Sequence, residues 1–181
     1  MSRVRFRLYI AVSLDGFIAD TAGGVEWLHP YESQDVGFTA FLAEVGTIVT
    51  GRRTYDQARG FPNWPYQGKR VIVLTHRPLD SAPPSGVEAY LGEIETLAAQ
   101  LKRESEGDVW LLGGAVVARE FLDRGLVDRI ELYVIPVLLG DGVRLFTPGD
   151  QSRTLAFSEA RSYANGIVGL IYELAPKLRA I

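Results

Sequence analysis

The sequence predicts an α/β fold with a mostly parallel twisted sheet, helices on both faces and an antiparallel hairpin at the C-terminal end. Two patterns predict this fold. Short apolar runs alternate with amphipathic segments along most of the chain, which is typical of parallel strands joined by right-handed helical crossovers. The last quarter instead contains two strand-like runs, 154–163 and 167–174, joined by Asn165-Gly166, a strong signal for a hairpin.

The N-terminal segment predicts a strand over 5–13 that ends at the turn Asp15-Gly16. Its apolar residues alternate with Arg3, Arg5 and Arg7, and this period of two is typical of a strand and not of a signal peptide. No window of the sequence is apolar over the length needed to span a bilayer. We therefore expect a cytoplasmic protein without a membrane partner.

A loop is predicted over 21–31, followed by an amphipathic segment over 33–46 that predicts a helix with Ser33 or Asp35 near its N-cap. The apolar run after it, 47–51, predicts a short buried strand.

The middle of the chain continues this alternation of strands and helices. In the longest helical segment Ile94, Leu97, Ala98 and Leu101 fall on one face. The predicted elements are a brief helix over 52–60, strands over 70–76 and 87–90, a helix over 93–107, a strand from Val109, a helix ending at Arg124 and a strand over 128–140.

Composition limits the function more than it limits the fold. The 181 residues, 47% hydrophobic and 23% charged, fit one globular domain over 1–181, because no linker, repeat or shift in composition divides the chain. A net charge of −3 does not favour nucleic-acid binding, which needs a basic face. The chain has no cysteine, and its two histidines, His29 and His76, lie far apart. We therefore expect no disulfide, no thiolate nucleophile and no metal site.

The residues that follow the predicted strands are rich in glycine, arginine and hydroxyl groups. In open α/β sheets ligands bind beyond the carboxyl ends of the strands, and helix starts and arginine forks suit anions there. The segments at these positions are 11–16, 51–54, 75–77 and 113–117.

Each of these signals also has a purely structural interpretation. Gly113-Gly114 equally allows close packing of a helix on a strand, and Arg52-Arg53 alone is typical of a solvated helix start. The glycines do not form a Gly-x-Gly-x-x-Gly fingerprint, which disfavours a Rossmann dinucleotide-binding domain. Because reactive side chains are few, the four segments together favour chemistry performed by a bound cofactor.

Five motifs, "AVSLDGFIAD", "GRRTYD", "VIVLTHRP", "LLGGAVVAREFL" and "GLVDRIELYVIPVLLGDGVRLF", give the chain a family resemblance. Their order and spacing resemble the dihydrofolate-reductase-like fold, in the branch that contains the riboflavin-biosynthesis reductase (RibD C-terminal) domain. The resemblance covers Leu8 to about Leu174.

This resemblance implies that NADPH binds across the carboxyl ends of the strands. Arg53, His76 and Arg77 are the implied partners of the 2′-phosphate, and the Asp15-Gly16 turn is the implied loop over the nicotinamide. The full implied set of cofactor-binding residues is Ala11, Asp15, Gly16, Ile18, Gly51, Arg52, Arg53, Thr54, Leu74, Thr75, His76, Arg77, Gly113, Gly114, Ala115, Val116 and Val117.

On the substrate side, dihydrofolate reductases place a carboxylic acid a few residues after a loop tryptophan. Glu32 matches that distance from Trp27, and Asp35 is the next choice. A buried carboxyl there would deliver a proton to the reduced bond. Glu32 can equally be an acid placed at a helix start, where the helix dipole favours it.

The resemblance implies a reductase that transfers hydride from NADPH to a C=N or conjugated C=C bond of a flat heterocycle related to pterins or folates. One alternative is a 5-amino-6-ribosylaminouracil phosphate reductase of riboflavin synthesis. Another is a non-catalytic nucleotide-binding module. The resemblance also implies a homodimer, to which the apolar segment "YVIPVLLG" could contribute.

Overall fold

The computed structural model describes residues 3–79, 82–147 and 152–174, and an eight-stranded sheet forms its centre. The strands of this sheet, in chain order, are β1 (Phe6–Ser13), β3 (Val45–Gly51), β4 (Arg70–Leu74), β5 (Val87–Tyr90), β6 (Asp108–Gly113), β7 (Arg129–Ile135), β9 (Ala156–Ser162) and β10 (Val168–Glu173). Two short strands, β2 (Phe17–Ala19) and β8 (Val143–Arg144), form a separate antiparallel pair.

The order across the large sheet is β5-β4-β3-β6-β1-β7-β10-β9. The first six of these strands are parallel, and β10 pairs antiparallel with both β7 and β9. The predicted parallel sheet with a C-terminal antiparallel hairpin is therefore confirmed. Because the six parallel strands point the same way, their carboxyl ends share one edge of the sheet.

Helices cover both faces of the sheet. On one face Leu97, Leu101 and Phe121 belong to a fully buried apolar cluster, and on the other Tyr9 stacks on Phe41 with 4.1 Å between ring centroids. The helices are a 3-10 helix (Glu26–Tyr31), α1 (Phe38–Glu44), α2 (Arg52–Arg59), α3 (Ile94–Glu104) and α4 (Ala115–Asp123). None of the helices in the described ranges is long and apolar enough to cross a bilayer.

The helix predicted over 33–46 is shorter than expected. It begins at Phe38, because Gly37 adopts a left-handed conformation with φ +86° and its N–H donates to the Asp35 carboxylate at 2.8 Å, which closes a turn before the helix. Gly46, expected just past the end of the helix, lies inside β3, which begins at Val45.

Other boundaries differ for local reasons. The segment predicted as a loop over 21–31 contains the 3-10 helix. The strand predicted over 128–140 ends at Ile135, because Pro136 has no N–H to donate to a neighbouring strand. The β2–β8 pair was not predicted, since two and three residues are too few for a periodic pattern.

A buried ion pair lies near the amino ends of the strands. The Arg7 guanidinium donates two hydrogen bonds of 2.8 Å to the Glu131 carboxylate, and both residues are 4% exposed. Asp108 also accepts from Arg7 at 3.2 Å, and the guanidinium lies 4.6 Å from the centroid of the Phe41 ring. Such a bidentate pair satisfies both charges and ties β1 to β7.

Candidate functional site

A cleft of about 930 Å³ opens along the edge formed by the carboxyl ends of the strands. This volume lies at the upper end of the range for small-molecule and cofactor sites. Residues from all four segments singled out in the sequence line it. The predicted residues that do so are Ala11, Ile18, Gly51, Arg52, Arg53, Thr54, Leu74, Thr75, His76, Gly114, Ala115, Val116 and Val117.

The starts of α2 and α4 lie side by side at this edge. A Cβ atom placed on Gly51 would lie 3.2 Å from Val117 Cγ2, and one placed on Gly114 would lie 3.5 Å from Thr54 Oγ1. The N-caps of the two helices are Gly51 and Gly114, and neither helix has a side-chain capping hydrogen bond. The N–H groups of both first turns therefore have no capping side chain, and their helix dipoles favour an anion.

We call this part of the cleft the anion end. It is formed by the lining residues at 51–54, 74–76, 90–94, 114–117, Glu120 and Arg124. The last two connect to the start of α3, because Arg124 pairs with Glu120 at 2.6 Å and with Glu95 at 3.0 Å.

The two glycines that follow β6 have different places. Gly113 is buried and adopts φ +110°, a conformation that strains any residue with a side chain, and its carbonyl accepts a hydrogen bond from the Thr50 hydroxyl at 3.0 Å. The peptide bond between the two glycines is cis. Gly114 lines the cleft and Gly113 does not. Gly113 thus turns the chain, while Gly114 leaves the first turn of α4 open to the cleft.

The cations at the anion end are engaged to different degrees. Arg52 donates to the Asp56 carboxylate and to the Pro78 carbonyl, both at 2.7 Å. Arg53 is exposed and forms no ion pair with the part of the chain that the structure describes, and His76 is exposed and also lines the cleft. Arg77 is also exposed but does not line the cleft. Of the three predicted phosphate ligands, Arg53 and His76 are therefore at the cleft.

The rest of the lining is mostly apolar, and we call it the apolar end. It comprises Ile10, Ala11, Ile18, Ala19, Gly23, Val25, Leu28, Gln57, Ala58, Phe61, Tyr66, Leu112 and Val143. These residues come from β1, β6, the β2–β8 pair, the segment before and within the 3-10 helix, the end of α2 and the loop that follows it. The side-chain amide of Gln57 donates to the Gly23 carbonyl at 3.1 Å and so joins α2 to the loop after β2.

The Asp15-Gly16 turn does not line the cleft. The Asp15 carboxylate accepts hydrogen bonds from the Ser13 hydroxyl at 2.6 Å and from the N–H groups of Gly140 and Leu139 at 2.7 and 3.1 Å. These bonds, that from Ser13 above all, lower the pKa of Asp15 to about 2. The turn predicted to lie over the nicotinamide is instead tied to the segment after β7.

Glu32 is not the buried carboxyl that a proton-delivery role would need. Its side chain is 66% exposed, its carboxylate lies 3.9 Å from His29 Nε2, and it does not line the cleft. The reason is the orientation of the 3-10 helix, which directs Leu28 toward the cleft and leaves Glu32, at its C-terminal end, on the outside. The second choice, Asp35, is also exposed and outside the lining, and it accepts from the Gly37 N–H.

Several lining residues were missed by the sequence analysis. Tyr66 and Phe61 lie in the loop after α2, and Leu91 and Glu93 lie between β5 and α3. The available signals were the aromatic-rich segment "FPNWPYQG" and the position of 91–93 after a strand of the same parallel sheet.

Comparison with known proteins places this fold in a family. The family model of the RibD C-terminal domain matches residues 6–169. The YwjB protein of Bacillus subtilis is 38% identical over 141 residues, which cover 77% of this chain and 80% of YwjB.

Solved structures resemble the whole sheet and its helices. A proposed riboflavin biosynthesis protein of Shewanella sp. PV-4 superposes with a TM-score of 0.85 at 29% identity, covering 94% of this chain and 99% of that one. A diaminohydroxyphosphoribosylaminopyrimidine deaminase/5-amino-6-(5-phosphoribosylamino)uracil reductase of Thermotoga maritima shares the fold, with a TM-score of 0.71 at 18% identity. That match covers 96% of this chain and 57% of the Thermotoga protein.

Proposed function

The chain belongs to the RibD C-terminal domain family, and we propose that it is an NADPH-dependent reductase that transfers hydride to a C=N or conjugated C=C bond of a flat heterocycle. One observation carries this proposal. Two helix starts without side-chain caps lie side by side at one end of a cleft whose other end is apolar. This is the division expected of a site for a dinucleotide with a pyrophosphate at one end and an uncharged ring at the other.

The residues at the anion end fit NADPH. The N–H groups of the first turns of α2 and α4 would hold the pyrophosphate, and Gly51 and Gly114 leave room for it. Arg53 and His76 would hold the 2′-phosphate, which distinguishes NADPH from NADH. When bound, NADPH supplies the hydride from C4 of its nicotinamide ring.

The apolar end would hold the nicotinamide and the ring that accepts the hydride. Ile10, Ile18 and Leu28 line this end and would shield the ring faces from most bulk water, which protects a hydride donor from side reactions. The only carboxyl side chains among the described lining residues are Glu93 and Glu120, both at the anion end. The proton that completes the reduction therefore comes from water that enters the cleft and not from a buried carboxyl.

Titration with NADPH tests the proposal. We expect the nucleotide fluorescence to change and the melting temperature to rise with nucleotide concentration. Hydride transfer to a panel of pterins, folates and aminopyrimidines is then measured as the loss of nicotinamide absorbance. If NADPH gives neither a fluorescence change nor thermal stabilisation, the proposal fails.

Two alternatives remain distinguishable in the same assay. The Thermotoga protein is named as a 5-amino-6-(5-phosphoribosylamino)uracil reductase. If this chain had the same activity, it would reduce that phosphorylated compound in the assay. A nucleotide-binding module without activity would bind NADPH and turn over no member of the panel.

The homodimer implied by the family resemblance stays a prediction, which light scattering in solution can test. Leu14 and Leu138 are 64% and 72% exposed, and the N–H of Leu14 donates to the Val137 carbonyl at 2.9 Å, so the two loops are adjacent. A monomeric mass at micromolar concentration would contradict it.

A further inference from the structure

We propose that the substrate of this reductase is uncharged, so that the apolar end accepts a neutral flat ring and rejects a phosphorylated or carboxylated relative. This inference rests on the proposed function and specifies its substrate class. It also separates this chain from a reductase that acts on a phosphoribosyl compound.

The first argument is the distribution of charge in the cleft. Among the residues that the structure describes, the acidic, basic and histidine side chains of the lining all lie at the anion end: Arg52, Arg53, His76, Glu93, Glu120 and Arg124. The apolar end contributes no charged side chain from these described ranges. Transfer of a phosphate or carboxylate into such a place carries a large desolvation cost with no cation to offset it.

The second argument concerns helix starts, the other means of binding an anion. Three α-helices, α2, α3 and α4, have first-turn residues in the lining, and all three lie at the anion end. The six-residue 3-10 helix contributes Leu28 to the apolar end, but the N–H of Leu28 already donates to the Val25 carbonyl at 2.9 Å. Helix α1 begins at Phe38, which is not among the lining residues. In the described part of the chain, the apolar end therefore has no second place that suits a phosphate.

The third argument concerns cations that lie close in sequence to the apolar end. Arg59 follows Ala58 directly, but it is exposed and does not line the cleft. The Lys69 ammonium, three residues after Tyr66, donates to the carbonyls of Leu42 and Val45 at 2.8 and 2.7 Å. The Arg144 guanidinium, which follows Val143, lies 4.4 Å from the Phe17 ring centroid and donates to the Asp15 carbonyl at 3.4 Å. Both charges are engaged outside the cleft.

The polar groups of the apolar end suit a neutral ring. Gln57 and Tyr66 are its polar side chains among the described residues, and the Gln57 amide is used to hold Gly23. The Tyr66 hydroxyl has no hydrogen-bond partner within the described ranges. Edge-on contacts with Trp64 and Trp110, at 5.2 and 5.8 Å between ring centroids, hold its ring.

Burial raises the pKa of Tyr66 to about 12, so its hydroxyl stays protonated at neutral pH. A phenol in this state donates one hydrogen bond, which suits a carbonyl oxygen or ring nitrogen of an uncharged heterocycle. Tyr66 is therefore the group that orients the substrate.

Matched pairs of compounds test this inference. One pair is dihydrobiopterin and dihydrofolate, which differ in charge through the glutamate tail, and the other is a ribosylaminopyrimidine with and without its 5′-phosphate. We expect the uncharged member of each pair to give at least about tenfold higher kcat/KM, and to raise the melting temperature of the NADP⁺-saturated protein more. Equal or greater turnover and stabilisation by the charged members would overturn the inference, while NADPH binding would still support the proposed function.

A charge-placing variant gives a second test. Leu28→Arg puts a cation into the apolar end, and we expect it to shift the ratio of kcat/KM, charged over uncharged, upward by about tenfold. Phe157→Arg is the matched control, because Phe157 is 65% exposed and does not line the cleft, and it should leave the ratio unchanged. An unchanged ratio in a folded Leu28→Arg protein that still binds NADPH would also count against the inference.

Discussion

The two ends of the cleft are built from different parts of the chain. The anion end depends on backbone N–H groups supplied by two short segments, 51–54 and 114–117, each of which starts a helix. The apolar end depends on side chains that several separate segments of the sequence bring together. Single side chains have little influence on a site formed by backbone N–H groups, but a negative charge placed beside those groups should weaken anion binding strongly. A side-chain site should instead change its preference gradually.

The largest expected effect comes from a carboxylate at the anion end. Val116 is 74% exposed in the first turn of α4 and lines the cleft. In Val116→Asp the helix dipole stabilises the new carboxylate, so thermal stability should not fall. The carboxylate repels the pyrophosphate, so we expect NADPH affinity to fall about 100-fold, or about 2.7 kcal/mol. Isothermal titration and thermal unfolding measure the two quantities.

Val116→Asn is the matched control for that experiment. It has nearly the same shape as the aspartate variant and no charge, and we expect its NADPH affinity to stay close to that of the original protein. Equal affinities of the two variants would show that the start of α4 does not bind the pyrophosphate.

A smaller loss of nucleotide use is expected on substitution of Arg53, whose side chain lines the anion end beside the backbone N–H groups. Arg53→Gln should lower kcat/KM for NADPH by about tenfold and leave that for NADH nearly unchanged, because one charge-assisted hydrogen bond to the 2′-phosphate is lost. Arg59→Gln, on the same helix but outside the lining, is the control. A parallel loss with both nucleotides would remove Arg53 from the 2′-phosphate site.

The same difference explains how much the sequence could predict. A buried strand, a glycine and a helix start form one continuous segment, so local patterns were enough to locate Gly51 and Gly114 at a ligand-binding edge. Tyr66 lies in an irregular loop, and its place in the cleft depends on packing against Trp110 of a distant strand. Spacing from Trp27 could not tell which way the short helix before Glu32 faces.

The turn beside the apolar end should make stability depend on acid pH. The pKa of the Asp15 carboxyl is about 2 in the folded protein and 3.8 ordinarily. Ionisation of this carboxyl therefore stabilises the folded state relative to the unfolded state. That stabilisation is complete above about pH 4 and is lost as the pH falls from there toward 2. Asp15→Asn should lack this component, so its melting temperature should approach that of the original protein between pH 4 and 2.

The control for this measurement is Glu106→Gln, at an exposed acid, which should change the acid limb little. If Asp15→Asn and the original protein keep a constant difference in melting temperature from pH 5 to 2, the carboxylate does not anchor the turn to Gly140 and Leu139.

The smallest expected effect is at Glu32, and it sharpens the contrast between an acid outside the cleft and a hydroxyl inside it. Because the Glu32 side chain is 66% exposed and does not line the cleft, Glu32→Gln should keep kcat/KM within about twofold of the original value. Tyr66→Phe removes a hydroxyl that has no hydrogen-bond partner within the described ranges, and it should lower kcat/KM about fivefold, the value of one hydrogen bond. The reverse order, with a large loss in Glu32→Gln and none in Tyr66→Phe, would mean that the 3-10 helix turns to bring the acid onto the substrate. Steady-state rates with the preferred uncharged compound decide between the two.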